Sequence, residues 1–341
     1  MKKEYIIPIF VPHLGCPNDC TFCNQKKISG QKKNITKKDV AEIIEYYLQN
    51  FKDSDRKVEV AFFGGSFTGI PVQIQEELLS AAYTYIENGK VDSIRISTRP
   101  DYINKDILKL LKKYKVETIE LGVQSTNNYV LNKCKRGHDF NDVKKASKLI
   151  RKNKFILGHQ MMVGLPDSTK QDEIKTAKDL IKLHPKMIRI YPVLVIKDTQ
   201  LEKDFRSGEY IPNTLEQAVE TCSILLKMFK SKKIDVIRIG LQSTDEICNP
   251  ENETSQVVAG PYHPAFRQLV ESRIYYDQIS KKIKSLNNKV KSIKILVNPS
   301  HMNSFVGHKR ENVNRIKGIY NVNMKIVQDS NIKDYKIVEI S

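Results

Sequence analysis

The strongest constraint on the fold is a regular alternation of strand-like and helix-like segments. Six short apolar runs, rich in β-branched residues, stand at Tyr5–Val11, Val58–Phe63, Ser93–Ser97, Val116–Leu121, Ile156–Val163 and Met187–Val193. Amphipathic helix candidates separate them; Thr36 can cap the first, which runs to about Asn50. Repeated strand–loop–helix units predict a parallel sheet with right-handed crossovers.

We therefore expect an α/β fold, a partial TIM-type (β/α)6 barrel with its chemistry at the C-terminal ends of the strands. A doubly wound open sheet is the alternative. A further strand-like run follows at Val236–Leu241, and a small α+β pattern with strands near Ile293 and Met324 ends the chain.

The composition is that of a soluble globular protein. Hydrophobic residues make up 40% of the 341 positions and charged residues 28%, as in ordinary folded domains. No apolar run approaches the roughly 18 residues that a membrane helix needs, and the stretch Tyr5–Val11 is short and broken by Pro8. We expect a cytoplasmic protein without a membrane partner.

Three of the six cysteines are clustered directly after the first predicted strand. Cys16, Cys20 and Cys23 form a C-x3-C-x2-C triplet. Three soft thiolates in one tight loop can hold three irons of a [4Fe–4S] cluster and leave the fourth iron open. A structural zinc site is the alternative, which would need a fourth ligand such as His13. The other three cysteines are scattered, so we expect no second cluster.

The triplet resembles the cluster motif of the radical S-adenosylmethionine (SAM) enzymes. This resemblance implies that Cys16, Cys20 and Cys23 bind a [4Fe–4S] cluster and that SAM is cleaved reductively to a 5′-deoxyadenosyl radical. The loop after the second strand, with Gly64, Gly65 and Ser66, is similar to the superfamily's glycine pair, whose backbone approaches the amino group of SAM. Ser66 stands where the superfamily often has Glu or Thr.

Further segments resemble the radical SAM half of Elongator catalytic subunits, which act on the wobble uridine of transfer RNA. They are Gly64–Thr68, Arg95–Tyr102, Glu120–Ser125, Arg136–His138, Gly164–Pro166, Arg189–Leu201 and Val258–Arg267. Several also resemble oxygen-independent coproporphyrinogen oxidase, and by that resemblance SAM is contacted by Gln124, Arg136 and Gln160. The superfamily's ribose-binding strand aligns with Ser97, Thr98 and Arg99. No acetyl-CoA pyrophosphate loop is found, so we do not expect the acetyl transfer of those subunits.

Three residues in these segments are candidate catalytic groups. Glu120 is a site residue or a buried ion-pair partner, and the sequence favours neither. Tyr191 and His263 are redox or proton-transfer groups or, alternatively, packed side chains.

The chain is strongly basic, and the excess is concentrated near its end. Lys and Arg total 57 against 39 Asp and Glu, a formal charge of +18, and residues 281–341 contribute +9 of it. Such an excess favours a polyanionic partner. The alternative is a lysine-rich protein with a solvated tail.

The predicted strand–helix–loop–helix–strand order of this tail resembles a KH module. In KH domains a Gly-x-x-Gly loop clamps the nucleic-acid backbone. The loop here consists of Gly307, His308, Lys309 and Arg310, so a cation replaces the second glycine. The resemblance implies RNA contacts at these four residues, whereas the alternative is a small cap that packs on the barrel.

The sequence thus predicts three parts: a radical SAM barrel over 1–240, a helical extension over 241–288 and a basic KH-like RNA-binding module over 289–341. The predicted protein is an enzyme that modifies a uridine of transfer RNA, with a [4Fe–4S] cluster and SAM as cofactors and ferredoxin or flavodoxin as electron donor. One alternative is a radical SAM enzyme that acts on a small molecule such as a porphyrin precursor. Another is a non-catalytic RNA-binding metalloprotein.

Overall fold

The structure, a computed structural model, describes residues 3–11, 20–24, 35–53, 55–244, 246–286 and 290–341. Its strands are β1 (Lys3–Val11), β2 (Arg56–Gly64), β3 (Ser93–Thr98), β4 (Val116–Gln124), β5 (Ile156–Val163), β6 (Met187–Pro192), β7 (Val195–Ile196), β8 (Asp235–Ile239), β9 (Val257–Ala259), β10 (Ser292–Val297), β11 (Asn323–Gln328) and β12 (Tyr335–Ile340). Its α-helices are α1 (Lys37–Asn50), α2 (Val72–Glu87), α3 (Lys105–Lys113), α4 (Asn128–Lys133), α5 (Phe140–Lys152), α6 (Lys170–Lys182), α7 (Gln200–Ser207), α8 (Leu215–Ser231), α9 (Phe266–Ser285), α10 (Met302–Val306) and α11 (Glu311–Tyr320).

Seven strands form one parallel sheet in the order β1-β2-β3-β4-β5-β6-β8. The strands follow the chain in one direction across this sheet, whereas a doubly wound sheet reverses its order midway. The predicted partial barrel is therefore confirmed, and the doubly wound alternative is wrong. The barrel has one strand more than the six predicted, because the run at Val236–Leu241 joins the sheet as β8.

Local sequence explains where several helices begin. Thr36, Asp139, Thr169 and Thr214 each start a capping box, in which a side chain three residues later bonds back to the cap. Such caps contribute about 0.5–2 kcal/mol each because they satisfy backbone N–H groups that lack helical partners. These helices pack on the apolar outer face of the sheet, and the predicted cap at Thr36 is confirmed.

The C-terminal residues form the small α+β unit that the pattern predicted. Its central strand, β10, pairs in parallel with β11 and antiparallel with β12. Its core includes Tyr275 and Ile279 from α9 together with Phe305. The first turns of α9 contribute Phe266 and Val270 to the core of the barrel instead. This helix thus belongs to both hydrophobic cores and ties the unit to the barrel.

A smaller antiparallel pair joins β7 to β9. Within the described part of the chain, none of the helices combines the length and the apolar character needed to span a membrane.

Charged side chains are buried on the concave face of the sheet. Arg95 donates to Glu59 at 2.6 Å and to Glu120 at 2.8 Å. Arg189 donates to both Glu120 oxygens, at 2.6 and 3.0 Å, and lies 5.1 Å from the centre of the Phe63 ring. Glu120 is only 1% exposed. These contacts join β2, β3, β4 and β6 across the inside of the barrel.

The electrostatics of Glu120 follow from this arrangement. Burial raises the pKa of the Glu120 carboxyl, but the guanidinium groups of Arg189 and Arg95 outweigh burial and hold the pKa below its ordinary value. The carboxylate therefore stays charged, as the ion-pair reading of the sequence expected. It is the negative centre that compensates two buried cations.

We predict that Glu120→Gln lowers the free energy of unfolding by about 3–5 kcal/mol, because it leaves Arg95 and Arg189 without their shared charge. Urea unfolding followed by circular dichroism measures the change. Glu117→Gln is the matched control on the same strand, since the Glu117 side chain is 49% exposed and its carboxylate lies 4.0 Å from Lys57. The control should change stability by less than about 1 kcal/mol. Equal losses in both variants would contradict the buried network.

The turn after β5 is held from both sides. Gly164 has a φ of +89°, and a Cβ there would lie 2.9 Å from the amide nitrogen of Asn213. Its N–H donates to the Glu173 carboxylate at 2.6 Å, and its carbonyl accepts from the Tyr210 hydroxyl at 2.6 Å. The segment Gly164–Pro166 is therefore a fixed turn at the C-terminal end of β5.

Burial raises the pKa of Glu173 to about 7, although the Gly164 N–H opposes this in part. A carboxyl with a raised pKa binds more protons in the folded chain than in the unfolded one, so stability falls as pH rises from about 4.5 to about 7. We predict that Glu173→Gln removes this decline, which is at most about 1.4 kcal/mol per pH unit. Urea unfolding at pH 5, 6 and 7 tests it, with exposed Glu209→Gln as control. A decline that persists in Glu173→Gln would assign it to another group.

Candidate active site

Residues 20–24, the described part of the cysteine motif, lie beside the C-terminal ends of the barrel strands, where Cys20 packs with Leu165 and Val193. Cys20 is buried and Cys23 half-buried, and the Cys23 N–H donates to the Cys20 carbonyl at 2.9 Å. Thr21 between them donates to the carbonyl of Cys134 at 3.2 Å. Cys16 lies outside the described residues, and among those described no three His, Cys, Asp or Glu side chains are grouped as a metal site.

Cys134 packs beside this loop as a small apolar residue. It is fully buried, and burial raises the pKa of its thiol to about 12, so it remains protonated. It therefore differs in chemistry from the three loop cysteines, which the sequence groups as thiolate ligands.

Arg136 connects the cysteine loop to β4. One guanidinium nitrogen donates to the Sγ of Cys20 at 3.3 Å, and another donates to the Gly122 carbonyl at 2.7 Å. The arginine is 7% exposed. A buried cation thus lies directly against one predicted cluster ligand.

Gln124 ends β4 in a conformation that L-residues rarely adopt, with φ of +69°. Its Oε1 is buried and has no hydrogen-bond partner among the residues that the structure describes. A Cβ at Gly122 would lie 3.2 Å from both the Gln124 amide nitrogen and an Arg136 nitrogen, so a side chain there would crowd both groups. A buried acceptor without a partner is an atom to which a bound ligand can donate.

Gln160 on β5 points its amide to the same concave face. Its Nε2 donates to Ser97 at 3.0 Å and to Glu120 at 3.0 Å. Both amide hydrogens are thus used inside the protein, and Oε1 is the atom that can accept from a ligand. Glu120 therefore fixes which end of this amide faces outward.

The glycine loop after β2 approaches the end of β1. Gly64 has a φ of +103°, and a Cβ there would lie 2.7 Å from the Val11 carbonyl oxygen, closer than any side chain allows. Gly65 donates to the same carbonyl at 3.4 Å. Ser66 bonds Thr98 at 2.8 Å and accepts from the Arg99 N–H at 3.1 Å. The loop is thereby fastened to β3.

The side chain of Arg99 is engaged next to this loop. It donates to both carboxylate oxygens of Asp101, at 3.0 and 2.8 Å, and lies 5.5 Å from the centre of the Tyr102 ring. The structure thus gives Arg99 a local ion pair and assigns its backbone N–H to Ser66.

The three candidate catalytic residues occupy different surroundings. Glu120 lies in the buried ion-pair network, and Tyr191 lies beside Arg189, where burial raises the pKa of the phenol. His263 lies next to His308 of the C-terminal unit, with ring centres 6.2 Å apart. The structure thus places His263 at the contact between the barrel and the predicted RNA-binding loop.

Sequence reasoning did not assign a role to His138. It is 4% exposed and its Nε2 lies 3.3 Å from the Val123 carbonyl. Burial, with Arg136 as a second cause, lowers the pKa of His138 to about 4, so the imidazole is neutral at pH 7. The sequence feature that could have indicated a role for His138 is its position two residues after Arg136. Arg95 was also missed, although a lone cation within the apolar run Ser93–Ser97 marks an inward-facing position.

The loop of the C-terminal unit is exposed and strained. His308, Lys309 and Arg310 are exposed, and the last two have φ of +48° and +62°. Left-handed backbone costs non-glycine residues about 1–2 kcal/mol each. A Cβ at Gly307 would lie 3.0 Å from the Ser272 hydroxyl on α9, so only glycine fits there without a shift. The predicted element order is present, while the KH assignment stays a prediction.

Comparisons with known proteins agree with this geometry. The model of the radical SAM superfamily matches residues 10–180, and that of the radical SAM C-terminal domain matches residues 185–276. An uncharacterised protein of Methanocaldococcus jannaschii is 32% identical over 220 residues, which cover 61% of this chain and 67% of that protein. The tRNA uridine(34) acetyltransferase of Methanocaldococcus infernus is 29% identical over 187 residues, 49% of this chain and 35% of that enzyme.

Among solved structures, the archaeal Elp3 of Methanocaldococcus infernus superposes with a TM-score of 0.62 at 23% identity. The match covers 83% of this chain and 64% of that one, and at this identity it supports the fold alone. The chain spans about a third of the length of the acetyltransferase that it matches. Because a family model covers half of the chain, including the cysteine triplet and the ends of the first five barrel strands, this protein belongs to the radical SAM superfamily, whose enzymes use a [4Fe–4S] cluster and SAM.

Proposed function

We propose that this protein is a radical SAM enzyme that modifies a uridine of transfer RNA, with the wobble uridine as its target. The observation that carries the RNA part is the charge of +9 within residues 281–341. Residues 289–341 alone carry +6 of it, and such an excess suits a polyanionic substrate. The 29% identity with a tRNA uridine(34) acetyltransferase supports the same substrate class. A transfer RNA substrate implies a cytoplasmic enzyme.

In this proposal Cys16, Cys20 and Cys23 hold the cluster through their thiolates. The cluster and SAM, when bound, supply a 5′-deoxyadenosyl radical by one-electron cleavage, for which ferredoxin or flavodoxin is the proposed donor. Arg136 stabilises negative charge on the Cys20 sulfur through its bond of 3.3 Å. Phe22 and Leu165 pack around Cys20 and keep water from the loop.

The residues that line the ends of the barrel strands fit SAM by their hydrogen-bonding capacity. The unpartnered Oε1 of Gln124 and the free acceptor of Gln160 suit donors such as the SAM amino group or ribose hydroxyls. Arg136 is the nearby cation for the SAM carboxylate. We assign the backbone at Gly64, Gly65 and Ser66 to the amino group, and Ser97 and Arg99 to the ribose side.

Each of the three parts of the chain, divided at residues 240 and 288, has its own proposed role. Residues 1–240 bind the cofactors and exclude water, residues 241–288 connect, and residues 289–341 bind RNA through Gly307, His308, Lys309 and Arg310. Of the candidate catalytic groups, we propose Tyr191 as the one nearest the chemistry, because it stands one residue before the C-terminal end of β6. Its raised pKa keeps the phenol proton in place at neutral pH.

We predict that Cys16→Ala, Cys20→Ala or Cys23→Ala abolishes reductive SAM cleavage, because each removes a corner ligand of the cluster. Anaerobic reconstitution followed by iron and sulfide analysis, and 5′-deoxyadenosine release with dithionite, measures both effects. Cys222→Ala is the matched control, since Cys222 is fully buried in the barrel core. Full iron and sulfide in a triple variant would contradict the cluster assignment.

We predict that Arg136→Ala weakens SAM binding by about 1.5–3 kcal/mol, roughly 10- to 150-fold, if the guanidinium pairs with the carboxylate. Titration calorimetry on cluster-loaded protein measures the affinity, and the iron content of each sample is checked first. Exposed Arg151→Ala on α5 should bind SAM as the wild type does. Unchanged affinity in Arg136→Ala would mean that another residue binds the carboxylate.

The experiment that tests the function compares modified nucleosides of transfer RNA between wild-type cells, deletion cells and deletion cells carrying Cys20→Ala. We expect one modified uridine to disappear in both mutant strains, and reintroduction of the wild-type gene to restore it. Identical nucleosides in all strains would overturn the transfer RNA assignment and favour a small-molecule substrate.

A further inference from the structure

The segment that carries His263 lies on the end of the barrel. Gly260 has a φ of +112°, and a Cβ there would lie 2.9 Å from the Val193 carbonyl and 3.2 Å from the Leu194 Cα. Val193 directly follows β6, which carries Tyr191. Three residues of chain reach at most about 11 Å. His263 is therefore near the C-terminal end of β6, where a parallel barrel keeps its chemistry.

His263 also contacts the C-terminal unit. Its ring is inclined by 75° to that of His308, with centres 6.2 Å apart. The Nδ1 of His263 accepts from the Ala265 N–H at 3.1 Å, so neutral His263 carries its proton on Nε2 and can donate from there. Burial and the neighbouring His308 lower the pKa of His263, which favours this neutral donor form.

The loop beside His263 presents cations. Lys309 and Arg310 are exposed, and their left-handed backbone is held by the close packing of Gly307 on α9. On α9 itself, Arg267 and Glu271 pair with each other at 3.0 Å, so their charges offset. Lys309 and Arg310 are left facing solvent.

We propose that His263, His308, Lys309 and Arg310 form one binding site for a phosphodiester at the rim of the barrel. The site would hold the RNA backbone next to the nucleotide whose base enters the barrel, and it rests on the proposed RNA substrate. A base that is modified inside a barrel must leave its stack, so its own phosphate stays at the rim. Histidine N–H, ammonium and guanidinium groups are suitable donors to a phosphate.

A phosphodiester site at this position explains two features of the loop that packing alone does not. The loop keeps two consecutive residues in strained backbone, and its cations face solvent beside His263 of the connecting segment. Among the described non-glycine residues with positive φ, Lys309 and Arg310 are the only adjacent pair, and most of the others stand in turns directly after helices. The contact between His263 and His308 then joins backbone binding to the reaction site.

The test measures transfer RNA binding by fluorescence anisotropy over a range of salt concentrations, with full-length protein. The loop variant is Lys309→Gln with Arg310→Gln. The matched control is Lys325→Gln with Lys336→Gln, which removes the same charge from exposed positions on strands of the same unit. We expect the loop variant to lose about 0.7–0.9 in the slope of log K against log salt for each lost phosphate contact. In the control, the slope should fall by less than the amount expected for one phosphate contact.

His263→Gln adds a second readout. It should weaken binding several-fold in the wild-type background and have little further effect in the loop variant, because residues that share one ligand are not additive. Full additivity would overturn a shared site.

Three other outcomes decide the rest. Equal slope losses in the loop variant and the control would indicate a diffuse field and overturn the inference. If the loop variant bound transfer RNA as the wild type does, the contact between His263 and His308 would be structural only, and the inference would be overturned as well. In both cases loss of a modified uridine in deletion cells would leave the proposed function standing. Absence of salt-dependent RNA binding by the wild type would overturn both.

Discussion

The barrel depends on one buried carboxylate. Glu120 accepts hydrogen bonds from Arg95, Arg189 and Gln160, which stand on three other strands of the sheet. Burial alone would favour a neutral acid, but two guanidinium groups keep it charged. Such a network is costly to desolvate and costlier to break, since any missing partner leaves a buried charge behind. It thereby fixes the mutual positions of the strands whose ends carry the proposed SAM contacts.

At the end of β4, backbone strain and a buried polar atom that is unpartnered within the described part of the chain occur in the same residue, Gln124. Gln124 and Gly64 both have positive φ, and the Gln124 Oε1 has no partner among the described residues. The strands themselves are held by their ladder bonds, by apolar packing on the outer face and by the Glu120 network on the concave face. A parallel barrel separates stability from chemistry in this way, because helices cover its outer face and loops follow only the strand ends. Arg136 links the two regions, since it bonds both the β4 backbone and Cys20.

The helix α9 determines where the basic unit sits. Phe266 packs in the barrel core and Ile279 in the core of the unit, so the helix serves both. Gly307 then packs against Ser272 of this helix, which brings His308 to His263. The proposed RNA contacts are therefore positioned by apolar packing at a distance from them.

The sequence by itself determined the order of strands and helices, the cap at Thr36 and the spacing of Cys16, Cys20 and Cys23, because apolar periodicity, capping and ligand spacing are local. It predicted the residues at the strand ends through resemblance, without their contacts. Only the tertiary structure decided that β8 joins the sheet and that Glu120 is shared by two arginines. The contact of His263 with His308 joins positions 45 residues apart in the printed sequence. Such contacts arise when packing brings distant segments together, and no local pattern encodes them.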